Sequence, residues 1–140
     1  NRLKFASKGL KKTRFLAGDV LKKEFLQADV VTMVHLLHHL PSRKSQEILI
    51  KKVSNELKTG GKLIIAEVSE RPLLKYIVSW VTDVFVVPLL FERKLFSGNV
   101  YYRRDKDWKN LLLKHGFRVE YQSLHKGKPF SHSLFIASKK

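Results

Sequence analysis

ADVVTMVHLLHHLPSRKSQEILIKKVSNELKTGGKLIIAEV, residues 28–68, reads as strand, polar turn, amphipathic helix, glycine stop and strand. That order is one right-handed βαβ unit, the connection that joins parallel strands. Asp29 opens an apolar, β-branched run through Val30, Val31, Thr32, Met33 and Val34 with no turn residue inside it. Such a run fits a parallel strand buried on both faces better than an alternating, half-exposed one. Three histidines, His35, His38 and His39, follow at its end. In open α/β sheets ligands bind beyond the carboxyl ends of the strands, so this stretch predicts both the fold class and the position of a site.

The helix inside the unit carries its own punctuation. Ser42, after Pro41, is a good N-cap, and Glu47 lies near the positive end of the helix dipole. Leu49, Val53 and Leu57 recur at i, i+4 and i+8 with Ile50 beside them, which makes one face apolar. Gly60 sits where a left-handed cap is wanted, and Gly61 tightens the turn into a strand over 62–68.

Upstream, residues 1–10 read as the end of a helix stopped by Gly9, and 13–17 as a short strand followed by a turn at Gly18 and Asp19. Residues 21–26 read as a helical turn. Downstream, residues 73–91 (LLKYIVSWVTDVFVVPLLF) are long enough to suggest a membrane span, but Lys75, Asp83 and Pro88 interrupt them. Two readings stand: a hydrophobic cover over a substrate pocket, within an insertion at 72–102, or an interfacial membrane-binding helix. Asp105 is then expected to cap a helix in which Trp108, Leu111, Leu112 and His115 share a face, ended by Gly116. Strands follow at 117–124 and 131–138 with no helix between them, which predicts an antiparallel pair.

The 140 residues make one domain, or part of one, and contain no cysteine, so disulfide partners and thiolate metal sites are excluded. Lys and Arg number 28 against 12 Asp and Glu, a net charge of +16 that predicts affinity for nucleic acid or acidic lipid surfaces. The basic residues are spread along the chain and form no aromatic-interleaved motif. Met33 is the single methionine and the chain opens with Asn1. An N-terminally incomplete or processed chain is therefore expected.

RFLAGDV, ADVVTMVHLLHHLP, LKTGGKLIIAEV, YYRRDKDWKNLLLKHGF and a closing hairpin ending HSLFIASKK occur here in order. Together they resemble the C-terminal two-thirds of a class I S-adenosylmethionine-dependent methyltransferase. The resemblance implies a partial doubly wound, Rossmann-like α/β sheet, mostly parallel with a C-terminal antiparallel strand pair. It also implies S-adenosyl-L-methionine as cofactor and an unidentified methyl acceptor as partner. The family's glycine-rich loop, and the acidic residue that holds the ribose, have no counterpart here. On that reading the strand at 29–34 lacks an inner neighbour and presents an apolar edge, from which self-association is expected.

The resemblance assigns roles by position. Asp19 corresponds to the residue that accepts from the adenine amino group, with Val20 flanking the ring. Val34 and His35 correspond to the strand end that lines the methionine portion and faces the acceptor. His38 and His39 match a frequent His-His pair on the following turn; apart from the resemblance, the reading of 73–102 as a substrate cover puts Tyr101 and Tyr102 with His39 on the acceptor side. Three readings compete for the histidines: metal ligands, a general base at His35, or packing that shapes the pocket. No HExxH pattern or adjacent carboxylate completes a metal set, so no metal is assigned; packing is the plainest reading, above all for His38 and His39, and His35 is the one candidate base, in a reaction that alignment alone can carry. The rivals to methyl transfer are a methyltransferase-like scaffold module and a basic membrane- or nucleic-acid-binding domain. The expected location is cytoplasmic, with membrane association as the variant.

Overall fold

A computed structural model describes residues 12–93, 95–96 and 100–140; the helix end expected over 1–10 lies outside them. Strand β1 (Ala28–Val34) leads through a 3₁₀ turn (Leu37–His39) into α1 (Arg43–Glu56) and β2 (Leu57–Val68). Helix α2 (Leu73–Val81) continues as π-helical turns over Thr82–Val86 and Pro88–Glu92. Helix α3 (Asp105–Lys114) precedes the hairpin of β3 (Phe117–Ser123) and β4 (His132–Lys139).

The βαβ unit is as read: β1 and β2 are parallel, and Ser42 caps α1 by accepting from the Ser45 amide at 3.0 Å. The sheet as a whole is mixed rather than mostly parallel. Its order is β1-β2-β4-β3, and β4 inserts between β2 and β3 antiparallel to both. A hairpin whose second strand joins the central strand makes two antiparallel ladders, not one. Leu63, Ile65, Phe135 and Ala137 share one face and pack with Leu49, Ile50 and Val53 of α1 and with Trp108, Leu111 and Leu112 of α3. Among the described residues, this is the layer of the doubly wound arrangement that is present.

Among the described residues β1 is an edge strand, as expected from the missing inner neighbour, and not one buried on both faces: Met33 is buried, while Val30 is 53% and Val34 63% exposed. An apolar run reports β-propensity, and which neighbour covers it is settled by residues far away in the chain. Residues 13–17 form no strand, having no ladder to join among the described residues. The helical turn expected over 21–26 sits earlier, with Lys22 and Lys23 donating to the Asp19 carbonyl. Asp105 is the first residue of α3 rather than its cap, and its carboxylate accepts from Ser69 and Tyr121 at 2.8 and 2.9 Å.

β2 starts five residues before the expected Lys62, because Gly60 is a bulge inside the strand rather than a cap. Its φ is +77°, and the pairing skips from Ala28 with Leu57 to Val30 with Lys62. A Cβ on Gly61 would stand 2.8 Å from the Lys58 carbonyl oxygen and 3.1 Å from that of Asp29, both backbone atoms. Gly61→Ala should therefore destabilise the protein by about 1–3 kcal/mol through forced backbone shifts. Gly60→Ala meets open space and should cost about 1–2 kcal/mol from its left-handed backbone alone. Urea unfolding of both variants measures this; a Gly61→Ala midpoint equal to wild type would show that the bulge yields freely.

Candidate active site

The end of β1 turns sharply. His35 adopts φ +49°, a left-handed conformation uncommon outside glycine, while its amide still donates to the Ala66 carbonyl at 2.9 Å. That kink lifts the chain off the sheet and starts the 3₁₀ turn carrying His38 and His39. Glu67, next to last in β2 and 1% exposed, holds the turn from below. Its Oε1 accepts from the Leu37 amide at 2.7 Å and its Oε2 meets His38 Nδ1 at 2.5 Å.

From above, the helical run after α2 reaches the same ring. Asp83 Oδ2 lies 3.4 Å from His38 Nε2 and accepts from the Tyr102 hydroxyl at 2.7 Å. His38 is 1% exposed. Burial would lower its pKa, but the Asp83 and Glu67 carboxylates outweigh that and raise it to about 9. Burial pushes Asp83 upward, and His38 and Tyr102 overrule it and hold the carboxyl below its usual range. Burial and the Asp83 charge raise the Tyr102 phenol, which keeps it a donor. Glu67 thus bonds one nitrogen of the ring, while Asp83 stands within ion-pair distance of the other, which makes no hydrogen bond, and among the described residues no three groups stand to share a metal ion.

A hollow of about 250 Å³ opens beside this chain of bonds, lined by His35, Val68, Ser79, Asp83, Phe130 and His132, with Thr82 at its wall. It lies at the carboxyl ends of β1 and β2, where the strand order placed the chemistry. The His35 and His132 rings meet edge to face, 4.6 Å between centroids. Burial, with the charges of His35 and Lys128, lowers the His132 pKa and favours its neutral form. The Ser79 and Thr82 hydroxyls donate back to the Lys75 and Val78 carbonyls. Asp83 is engaged by His38 and Tyr102, so the chemistry available at the wall rests with the two histidines.

The residues expected from the sequence divide into two groups. His35 lines the hollow; His39 and Tyr102 both tilt against the His38 ring, at 4.1 and 5.1 Å between centroids. The Tyr101 amide donates to the His38 carbonyl at 2.9 Å, and its own carbonyl accepts from the buried Gln46 side chain at 2.7 Å. Asp19, Val20 and Val34 are not among the residues lining the hollow. Asp19 is exposed on its turn, with Oδ1 accepting from the Leu21 amide at 2.9 Å, and Val20 packs half-buried against the core.

Glu67 and His132 carry no signal in the sequence, and Asp83 stands out there only as an interruption of the apolar stretch, not as a site residue. A lone acid in an 18-residue apolar stretch is a signal in itself, since such a charge needs a partner. His132 opens β4 opposite Val68, a register that only the strand pairing reveals.

Residues 2–118 match the model of a family described as the O-methyltransferase domain. No curated protein is similar enough to count as a match. A S-adenosylmethionine-dependent methyltransferase from Methanosarcina mazei aligns with 99% of this chain and 74% of its own at 19% identity and a TM-score of 0.69. Magnesium protoporphyrin IX methyltransferase from Synechocystis PCC 6803, solved with bound SAH, gives 99% and 57%, 15% identity and 0.64. An O-methyltransferase family protein from Burkholderia thailandensis gives 91% and 36%, 18% identity and 0.63. At these identities the likeness is one of fold, and the chain spans between about a third and three-quarters of these proteins.

The buried ring sets an expected pH dependence. The folded-state pKa of His38, about 9, lies above its ordinary 6.5, so folding favours the protonated form. That stabilisation is complete below about pH 6.5 and is lost as pH rises through 9, a loss on the order of 3 kcal/mol. Asp83→Asn removes one of the two carboxylates and should move the alkaline loss to lower pH. Thermal melts from pH 6 to 10 measure both; a wild-type melting temperature flat across that range would overturn the assignment.

Proposed function

The chain belongs to the O-methyltransferase domain family and has the Rossmann-like fold of class I S-adenosylmethionine-dependent methyltransferases; from that premise we propose that it methylates a hydroxyl group presented in the hollow beside His35. The observation that carries this reading is the pairing of His35 with His132 in a small, largely apolar hollow at the carboxyl edge of the sheet. At about 250 Å³ it exceeds the roughly 150 Å³ that admits benzene and falls short of a drug-sized site. One aromatic ring or a short alcohol chain is the portion of acceptor it suits.

A bound S-adenosylmethionine supplies an electrophilic methyl group. Asp19 fits the adenine amino group chemically: it is an exposed carboxylate with one oxygen committed to the Leu21 amide, beside the apolar Val20. Val34, outside the hollow and exposed, is left to the methionine portion of the cofactor, and His35 stands between cofactor and acceptor. His35 takes the hydroxyl proton, leaving the acceptor oxygen nucleophilic, a role suited to an imidazole near neutral pH. His132, half-buried and shifted toward its neutral form, packs the His35 ring in place without adding charge. Proximity and alignment supply much of the remaining barrier reduction. His39 and Tyr101 would meet the outer part of the acceptor, while Tyr102 is reserved by its bond to Asp83.

The test is calorimetric titration of the full-length protein, including any glycine-rich loop upstream of these residues, with S-adenosylmethionine, followed by transfer of labelled methyl to a panel of phenols and alcohols; these 140 residues alone are expected to be inactive. Asp19→Ala should weaken cofactor binding about tenfold through a lost charge-assisted hydrogen bond. His35→Asn tolerates the left-handed backbone and should lower the transfer rate about 10²-fold or more, with a much smaller change in cofactor affinity. Absence of cofactor binding would leave a scaffold role in place of an enzyme. An unchanged rate in His35→Asn would remove His35 as the base.

A further inference from the structure

The apolar stretch 73–90 has a mean hydropathy of 1.7 and only 17% of it is buried. By sequence, Lys75 and Asp83 interrupt it, and both charges count against a lipid-facing role. The structure turns both inward. The Lys75 ammonium donates to the His125 and Lys128 carbonyls at 2.7 Å each. Asp83 is bound to Tyr102 and faces His38. No other residue between 73 and 90 carries charge. What faces outward is Leu74, 76% exposed, with Ile77, Val78, Trp80, Val81, Phe85 and Leu89.

Basic side chains lie at both ends of this run and in the adjoining loop. Exposed Arg71 precedes the helix and exposed Arg93 closes it, each next to an acid in the chain, Glu70 and Glu92, and exposed Lys126 and Lys128 lie in the loop that Lys75 holds, where the balance is basic. The chain as a whole carries +16. We propose that the outer face of residues 73–90 docks on an anionic lipid bilayer, lying in the interface with Trp80 and Phe85 inserted and the flanking basic residues on the headgroups. An uncharged apolar face, amphipathic aromatic rings and a basic border are what interfacial binding requires. A spanning helix does not fit, because its inner side is bonded to the protein body through Lys75, Ser79 and Asp83. A second copy of this chain is the weaker candidate occupant: two such faces would bring both basic borders together. The proposal does not depend on the methyl-transfer reading.

Co-sedimentation of the full chain with phosphatidylcholine vesicles, with and without phosphatidylglycerol, tests this alongside tryptophan emission. Trp108 is 1% exposed and already in an apolar setting, so any blue shift reports Trp80. Expected are binding about tenfold or more stronger to the anionic vesicles, a blue shift, and partial weakening by salt. Leu74→Glu with Val81→Glu, both at exposed positions, should reduce binding about tenfold or more while leaving the thermal melt unchanged; Leu89→Glu serves as an independent second variant. Four results would each overturn the proposal. These are no vesicle binding, binding abolished by salt with no blue shift, glutamate variants that bind as wild type, and a stable dimer that buries Trp80 and ignores vesicles.

Discussion

Burying a carboxyl group is costly unless its oxygens are met by donors, and Glu67 meets that condition with two groups from one turn. The Leu37 amide and the His38 ring take one oxygen each, which pins the 3₁₀ turn across the ends of β1 and β2. His38 then has a second nitrogen to satisfy, and Asp83 approaches it from the helical run above. Asp83 in turn receives the Tyr102 hydroxyl. Sheet, turn, covering helix and the segment before α3 are therefore joined through one buried polar chain. Networks of this kind act as a unit: satisfied, they hold a single arrangement, and with one member removed they leave a buried group unpaired.

The hollow is a consequence of that chain rather than of its own contacts. Gln46, fully buried in α1, binds the Leu37 and Tyr101 carbonyls at 3.0 and 2.7 Å, so the turn is held from the side as well. With the turn fixed, His35 is forced into its left-handed conformation, and its ring is delivered to His132. Strain in such a backbone persists where surrounding structure over-determines it. Here the Ala66 carbonyl below and the Glu67 bond two residues on leave the chain little choice.

What was legible in the sequence is what depends on near neighbours in the chain. Ser42 as cap, the apolar face of α1, the positive φ of Gly60 and the final hairpin all rest on spacings of a few residues, and the structure contains each of them. Partner choice was not legible. The insertion of β4 beside β2 and the placement of His132 opposite Val68 depend on pairings across tens of residues, whereas the open edge of β1 was expected from the family resemblance. A one-residue pattern can say that a strand is apolar and cannot say which strand lies beside it.

Asp83 shows most clearly how a local reading inverts. Taken as part of a hydrophobic run, it is a flaw that weakens any lipid-facing interpretation. Taken with His38 and Tyr102, it is the group that orients the run. Helix periodicity allows one polar stripe on an otherwise apolar cylinder, and Lys75, Ser79, Thr82 and Asp83 fall at spacings of four, three and one along that stripe. Each of them bonds back to the helix or to the protein body. Polar residues on the inner stripe therefore clear charge from the outer face, and the constraint that builds the hollow beneath the helix also leaves an uncharged apolar surface above it.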